Sequence, residues 1–256
     1  MGKKKSADDV QMTFGEHLED LRSRLWRAVI GVAVALVVCL VFGKQLLRTL
    51  QKPITDALAA AGYEGTLNYF NVITPFMIYV KVSLITALFV SSPWVIYHIW
   101  QFVASGLYPH ERKYVYIFGP FTAGLFAAGA AFSYFILVRF GVRFLVNFGK
   151  SLGLEPVLDV NSQLMFVLVL SMVMGLIFQL PLVMLVLVKI HIVESKTYVK
   201  QRKLFIIVAL TVAAIITPTQ DIVNLALATA PMLLLYELGI VLSRLAERRS
   251  ARDLAG

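Results

Sequence analysis

Two short segments of the sequence carry closely spaced charges of both signs. The first reads His-Leu-Glu-Asp-Leu-Arg-Ser-Arg-Leu over 17–25, so two acidic residues come directly before two arginines. The second reads Leu-Tyr-Pro-His-Glu-Arg-Lys over 107–113. A carboxylate offers two planar acceptor oxygens, which suit the bidentate recognition of a guanidinium group. Each segment taken alone is equally compatible with a solvated helix face.

Three isolated polar side chains lie inside long apolar runs, where polar groups are costly. Lys81 and Glu237 lie near the ends of their runs, so snorkelling or pairing at the interface explains them as well as a functional role does. Gln179 lies deeper, two residues before Pro181, and its amide needs partners. The carbonyl that Pro181 leaves without a donor is one candidate partner.

The familiar catalytic patterns are absent or lack the context they need. His110-Glu111 opens like the zinc motif H-E-x-x-H, but Tyr114 occupies the position of the second histidine. The run Gly-Lys-Ser-Leu-Gly over 149–153 matches G-x-S-x-G, but a nucleophile elbow needs a strand before the turn, and the apolar helical runs predict none there. No phosphate-binding P-loop is present. Cys39 is the single cysteine, which excludes an internal disulfide and a cysteine-based metal site. We therefore predict a protein that is not an enzyme and uses no metal and no cofactor.

The composition indicates a membrane protein. Of the 256 residues, 59% are hydrophobic and 15% are charged, whereas soluble domains have about 45–50% apolar residues. The mean hydropathy is +0.77. A soluble fold of this length cannot bury so much apolar surface, so lipid must be its solvent. The net charge of +9 is explained by basic cytoplasmic loops and requires no nucleic acid partner.

The apolar runs predict an all-α polytopic membrane protein, one domain over 1–256 with six transmembrane helices. The runs cover 28–42, 74–94, 115–138, 164–188, 204–217 and 222–242. Pro93 is expected to kink or end the second run, and Pro181 to interrupt the fourth. The last two runs form a short hairpin. The fifth rises only ~21 Å at 1.5 Å per residue, against a hydrocarbon core of ~30 Å.

The segment before the first run has an amphipathic pattern. Its apolar residues recur at helical spacing, at Phe14, Leu18, Leu21 and Leu25. Charged residues occupy the other faces of this helix. The pattern predicts an N-terminal interfacial helix over 14–26, lying in the plane of the membrane surface. We expect 1–13 to be a flexible basic N-terminus and 243–256 a basic cytoplasmic tail.

The basic residues divide unequally between the two sides of this topology. Seventeen lie on the side of the termini: Lys3, Lys4, Lys5, Arg22, Arg24, Arg27, Arg112, Lys113, Lys189, Lys196, Lys200, Arg202, Lys203, Arg244, Arg248, Arg249 and Arg252. Six lie on the other side: Lys44, Arg48, Lys52, Arg139, Arg143 and Lys150. This excess predicts that both termini are cytoplasmic.

The two charged segments, in this order and on this side, resemble the TatC family of the twin-arginine protein translocase. The family patterns are H-L-x-E-L-R-x-R-L and L-Y-x-H-E-[RK], which match 17–25 and 107–112. Further matches extend along the whole chain, at Pro53, Pro75 to Lys81, Ser92-Pro93, 97–102, 131–135, Thr217-Pro218, Asp221, Pro231 and Tyr236-Glu237. Their order and spacing make the resemblance specific, although no single motif decides it.

The resemblance implies a receptor in the bacterial inner membrane. Such a protein binds the Arg-Arg signal peptides of folded precursors at its cytoplasmic face. It works with TatA-like and TatB-like single-span proteins and with further copies of itself, and the proton-motive force drives export. The alternative is a secondary transporter or channel for a small solute. That class uses ionisable midplane residues on broken helices, and no Asp or Glu accompanies the prolines here.

The resemblance also assigns roles to the cytoplasmic residues. Asp20 and Glu111 would bind the two arginines of the signal, and Arg22 and Arg24 would hold these carboxylates in place. The remaining residues near this site are Glu19, Phe102, Tyr108 and His110. Phe102 and Tyr108 would cover it. The family usually has Glu where this chain has Asp20, so either Asp20 or the adjacent Glu19 is the main N-terminal carboxylate.

Further polar positions follow from the same resemblance. Many members carry Glu at the position of Gln179, so only a hydrogen-bonding role survives there. The polar ends of the last hairpin are expected to receive a partner helix, with the candidate residues Thr217, Asp221 and Asn224. Lys81, Pro53 and Glu237 complete the set of structural or partner-binding positions.

Overall fold

The computed structural model describes residues 14–105, 109–216 and 222–253, and within these ranges every regular element is a helix. The helices are α1 (Phe14–Val41), α2 (Gly43–Ala60), α3 (Thr74–Ser105), α4 (Pro109–Phe132), α5 (Arg139–Ser151), α6 (Val160–Ile177), α7 (Leu180–Lys189), α8 (Ser195–Lys200), α9 (Arg202–Ile216) and α10 (Ile222–Asp253). A π-helical segment, Ser133–Val138, joins α4 to α5. The predicted all-α class is confirmed. The basic segment 1–13, Tyr108, Thr217 and Asp221 lie outside the described residues.

In the part of the chain that the structure describes, five stretches are long and apolar enough to cross a membrane, which makes this a multi-pass membrane protein. They are His17–Val41, Thr74–Ser105, Phe121–Ser151, Val160–Lys189 and Ile222–Glu247. Helix α9 has only 15 residues, ~22 Å, and does not reach that length. The fifth predicted run is therefore as short as expected. The sixth is not short, because α10 continues through 32 residues and includes most of the predicted tail.

The predicted interfacial helix over 14–26 is not a separate element. It forms the first half of α1, which runs without interruption for 28 residues. The junction Leu25-Trp26-Arg27-Ala28 contains neither proline nor glycine, so nothing there breaks the hydrogen-bond ladder. The amphipathic segment and the apolar segment therefore join into one helix, because no helix-breaking residue separates them.

Pro93 does not end the second apolar run, because α3 continues beyond it to Ser105. A proline leaves the carbonyl four residues earlier without its N–H donor. That carbonyl belongs to Phe89, and the Ser92 hydroxyl donates a hydrogen bond to it at 2.6 Å. The serine next to the proline therefore replaces the lost bond, and the helix is maintained.

Helix α2 was not predicted, because its sequence is polar and contains Pro53. The helix continues across this proline as well. The carbonyl that Pro53 leaves without a donor is that of Thr49, and the Tyr134 hydroxyl donates to it at 2.5 Å. The partner lies 85 positions away, in the π-helical segment, so this helix depends on a long-range bond that no local pattern reveals.

The helix ends define two faces of the molecule. Helices α1 and α9 begin at the N-terminal face, and α3, α7 and α10 end there. The end of α1, helix α2 and the end of α5 lie at the opposite face. The two connections of the opposite face are bonded together. The backbone N–H of Asn68 donates to the Leu158 carbonyl at 3.0 Å, and the backbone N–H of Val160 donates to the backbone carbonyl of Asn68 at 2.9 Å. The Lys150 ammonium group donates to the Ala61 carbonyl at 2.5 Å.

Helices α4 and α6 approach each other closely where they cross. A Cβ atom placed on Gly129 would lie 2.6 Å from the Met174 carbonyl oxygen, so only glycine permits this approach. Gly175 faces the Phe126 ring in the same way, at 2.7 Å. Small residues in the third apolar run therefore permit close helix packing, as Gly129 does here.

Candidate functional site

The centre of the candidate site is an ion pair within α1. The Arg24 Nε atom lies 2.7 Å from Asp20 Oδ2, one helical turn away. The two side chains are only 18% and 21% exposed, so the pair is partly shielded from solvent. One predicted role is visible here, because Arg24 holds the Asp20 carboxylate in place.

Helix α3 fixes the other end of the same arginine. Arg24 Nη1 donates to Gln101 Oε1 at 2.5 Å, and the Gln101 amide nitrogen donates to the Tyr97 hydroxyl. Tyr97 and Gln101 are four residues apart, so they lie on one face of α3. A chain of four polar side chains therefore links α3 to the Asp20 carboxylate.

The neighbouring residues differ in how firmly they are held. The His17 ring stacks on the Phe102 ring with centroids 4.4 Å apart, and this contact brings Phe102 beside the ion pair. Glu19 and Arg22 are exposed, and within the described ranges neither has an ion pair or hydrogen bond. Glu19 therefore presents an unengaged carboxylate next to the engaged Asp20.

Glu111 belongs to the first turn of α4, which begins at Pro109. The side chains of Glu111 and His110 lie outside the described residues, as does Tyr108. Ser105 ends α3, and its hydroxyl is within hydrogen-bonding reach of Asp20. The chain from Ser105 to Pro109 extends at most ~14 Å, so the start of α4 belongs to the same face as Asp20.

Gln179 lies at the break between α6 and α7 and is only 8% exposed. Its amide nitrogen donates to the Thr122 carbonyl on α4 at 2.9 Å. The proposed bond to the carbonyl freed by Pro181 is therefore wrong. The side chain connects across to α4, because the break leaves it facing that helix. The Oε1 atom is buried and has no hydrogen-bond partner in the described part of the chain.

The other polar positions are dispersed. Glu237 on α10 pairs with Arg202 on α9, with 2.6 Å between Oε2 and Nη2, so the expected pairing at its interface is confirmed. Asn224 is buried, and its Oδ1 atom lies 2.8 Å from where Gly141 would carry a Cβ. Pro53 is buried within α2. These residues do not join the cluster around Asp20.

Lys81 is exposed at the opposite face, where it borders a cavity of about 260 Å³. Asp159 borders the same cavity and caps the N-terminus of α6. The backbone N–H of Ser162 donates to this carboxylate at 2.9 Å and its hydroxyl at 2.8 Å. These bonds hold the pKa of Asp159 below its usual 3.8. Lys81 is thus far from the ion pair of α1.

No sequence pattern identifies Gln101 and Tyr97 as members of the site around Asp20. Their spacing of four residues places them on one helix face, which is visible in the sequence. Nothing in the sequence shows that this face meets Arg24, because the crossing of α1 and α3 is a tertiary contact. His17 is the first residue of the 17–25 motif, and its stacking on Phe102 is likewise a contact between two helices that the sequence does not reveal.

Comparison with known proteins identifies the family. Residues 16–231 match the family model described as Sec-independent protein translocase protein (TatC). A relative of that name from Koribacter versatilis (strain Ellin345) is 36% identical over 241 residues, covering 94% of this chain and 88% of the relative. The Sec-independent protein translocase protein TatCy of Bacillus subtilis (strain 168) is 33% identical, covering 96% of this chain and 94% of the relative.

A solved structure agrees with these relatives. The crystal structure of a twin-arginine translocase receptor, TatC, superimposes with a TM-score of 0.81 and 33% identity, covering 90% of this chain and 99% of that one. The family model covers most of the chain, and the relatives and the structure agree with it in sequence and fold. This chain belongs to the TatC family of Sec-independent protein translocase proteins.

Proposed function

We propose that this chain is the signal-peptide receptor and core subunit of a twin-arginine translocase in a bacterial inner membrane. The observation that carries the proposal is its similarity, over 90% of the chain, to a structure named as that receptor. The N-terminal face then provides the receptor surface. Its exposed Glu19 and partly shielded Asp20 supply acceptors for arginine side chains.

Within this proposal, Glu111 and Asp20 contact the two signal arginines. Arg24 already engages Asp20 Oδ2, so Asp20 offers its second oxygen while Gln101 and Arg24 keep the carboxylate fixed. Glu19 adds general negative charge beside them. Partial burial raises the value of each charge-assisted hydrogen bond from the ~0–1 kcal/mol of an exposed pair toward ~1.5–3 kcal/mol.

We also propose that the chain crosses the membrane six times, with both termini cytoplasmic. Helices α9 and α10 then form an antiparallel hairpin, of which α9 is the short member. The excess of basic residues on the side of the termini supports this orientation. Cysteines placed at Ser250 and Ala60 in a Cys39→Ala background test it. In intact cells an impermeant thiol reagent should label the cysteine at Ala60 and spare the one at Ser250. Reversed labelling contradicts the orientation.

TatA-like or TatB-like single-span proteins are the proposed partners of the hairpin. A helix as short as α9 thins the adjacent bilayer or packs against protein, which favours a docked helix there. The polar residues at Thr217 and Asp221 would contact it, whereas the buried Asn224 packs against Gly141 and takes a structural role. Gln179 has a purely hydrogen-bonding role in this scheme, as the donor to the Thr122 carbonyl. A protonated Glu keeps a donor and a Leu does not, so Gln179→Glu should preserve transport as the neutral acid and Gln179→Leu should impair it.

The decisive experiment measures binding of two signal peptides to the full chain in nanodiscs at fixed salt. One peptide carries Arg-Arg and its matched control carries Lys-Lys at the same positions. A planar guanidinium fits a carboxylate bidentately and an ammonium group does not, so the Arg-Arg peptide should bind at least tenfold more tightly. Equal affinities would refute the receptor function.

A further inference from the structure

A groove of about 440 Å³ lies between α1 and α3 and is not part of the site around Asp20. Its walls are apolar, formed by Ile30, Val34, Ala35 and Val90, and Arg27 stands at its N-terminal end. From Arg27 to Ala35 the groove follows α1 for ~12 Å. It therefore has a long apolar part with one cationic end.

Trp94 gives the groove a fixed wall at its cationic end. The indole N–H donates to the Arg27 carbonyl at 3.1 Å. The ring lies so close to α1 that a Cβ atom on Gly31 would be 2.4 Å from Trp94 Cδ1. His98 contacts the indole edge-on, with centroids 4.6 Å apart. The ring is thus fixed by a hydrogen bond and by contacts with two helices, so the groove is a built feature.

Among the residues that the structure describes, no carboxylate pairs with the cationic end. Arg27 is exposed, and within the described residues its guanidinium has no ion pair or hydrogen bond. Asp20, a nearby carboxylate on the same helix, is already engaged by Arg24. An external anion would therefore be attracted to the open end of the groove.

The apolar part of the groove is open to the bilayer. Only 11% of the most apolar window of α1 is buried, the lowest share among the five candidate spans. Ile30 and Val90 are 57% and 59% exposed, so nothing in the described chain covers them. Trp26, next to Arg27, is 60% exposed, as expected for an indole at headgroup depth.

We propose that this groove binds one anionic phospholipid. Its phosphate would contact the Arg27 guanidinium, and one acyl chain would lie along Ile30, Val34 and Val90. Basic positions between membrane helices on the cytoplasmic side are suited to anionic headgroups. The orientation proposed above serves only to assign the lipid to the inner leaflet. The proposed lipid site does not depend on signal-peptide binding.

Trp94 makes the groove measurable by fluorescence. The full chain with Trp26→Phe and Trp100→Phe retains Trp94 as its single tryptophan. It is reconstituted in phosphatidylcholine vesicles containing brominated phosphatidylglycerol or, as a control, brominated phosphatidylcholine at the same mole fraction. Brominated phosphatidylglycerol should quench Trp94 with about fivefold higher apparent affinity, because its net negative charge attracts Arg27, whereas the choline ammonium of phosphatidylcholine offsets the charge of its phosphate. Equal quenching by both lipids would overturn the proposal.

Variants separate the headgroup from the acyl chain. Arg27→Gln should abolish the preference for phosphatidylglycerol, whereas Arg27→Lys should retain it and shows that the fold is intact. Lys203→Gln removes the same charge from an exposed position at the same face and should have no effect. A preference that survives in Arg27→Gln would refute the role of Arg27.

Filling the groove tests the second half of the proposal. Ala35→Phe should reduce quenching by both brominated lipids, whereas Val38→Phe, on α1 but outside the groove, should not. Millimolar inorganic phosphate should leave the quenching unchanged, because it lacks an acyl chain. Displacement by phosphate alone, or unchanged quenching in Ala35→Phe, would show that no acyl chain occupies the groove.

Discussion

The N-terminal face and the opposite face employ their polar side chains differently. At the opposite face, Tyr134 donates to a backbone carbonyl of α2, and Lys150 donates to the carbonyl of the residue that follows α2. A pair of backbone hydrogen bonds joins the α2–α3 connection to the α5–α6 connection. At the N-terminal face, Arg24 joins side chains of α1 and α3, and the adjacent Glu19 has no partner among the described residues. Tyr134 and Lys150 at the opposite face are thus used to hold the chain. The N-terminal face retains acceptors that a ligand is able to use.

The strongest test of this difference is removal of the proposed acceptors. Glu111→Gln keeps the shape of the side chain and removes its charge, so Arg-Arg signal binding should weaken tenfold or more, about 1.4 kcal/mol. The double variant with Asp20→Asn should show no detectable binding while still inserting and assembling. Binding to the purified protein in nanodiscs gives the measurement.

Two controls accompany these variants. Affinity for the Lys-Lys peptide should start low and change little. Equal losses for both peptides would mean that the carboxylates attract cations in general and do not recognise arginine. Glu19→Gln should have a smaller effect than Asp20→Asn, and the reverse order would make Glu19 the main N-terminal carboxylate.

A second, smaller effect is expected at Gln101, which contacts no ligand in our proposal. Gln101→Leu releases one end of Arg24, so the Asp20 carboxylate becomes less well fixed. We expect affinity for the Arg-Arg peptide to fall about two- to fivefold, the loss of one net hydrogen bond. Tyr97→Phe leaves the bond between Gln101 and Arg24 intact and should have the milder effect. Equal loss for the Lys-Lys peptide would indicate a purely structural role.

At the opposite face the effects should appear in stability and leave signal binding unchanged. Tyr134→Phe removes the donor to the Thr49 carbonyl and should cost about 1 kcal/mol of unfolding free energy in detergent micelles. Pro53→Ala restores a backbone N–H that bonds the same carbonyl. Tyr134→Phe should therefore cost less in the Pro53→Ala background. Additive costs in this double-mutant cycle would contradict the assigned bond.

The smallest effect concerns the cap of α6. The folded pKa of Asp159 is below 3.8, so its contribution to stability is present above pH 3.8 and is lost as the pH falls through the folded pKa. Asp159→Asn keeps a capping acceptor and should remove this part of the acid dependence. Asp159→Ala should cost about 0.5 kcal/mol at neutral pH. An unchanged acid limb of the unfolding curve in Asp159→Asn would contradict the prediction.

Sequence patterns predicted the apolar helices, because burial in lipid requires long runs that are visible locally. They predicted the break at Pro181, and α6 and α7 are indeed separate. They failed at Pro53 and Pro93, where the helix continues because a side-chain hydroxyl replaces the lost N–H donor. At Pro53 this hydroxyl belongs to Tyr134, far along the chain. At Pro93 it belongs to Ser92, whose role depends on its rotamer. At the candidate site the pairing of Asp20 with Arg24 follows from their spacing, but the contact with Gln101 requires the crossing of two helices.

The π-helical segment Ser133–Val138 sets the angular position of everything that follows it. An α-helix turns ~100° per residue, and a π turn accommodates about one residue more than an α turn. Helix α5 is therefore rotated about its axis by roughly that angle relative to an unbroken continuation of α4. Gly141 thereby meets Asn224 of α10, while Val142 and Val146 join the core with Ile54 of α2. One extra residue thus rotates α5 about its helix axis, while the side of α4 that faces α6 stays the same.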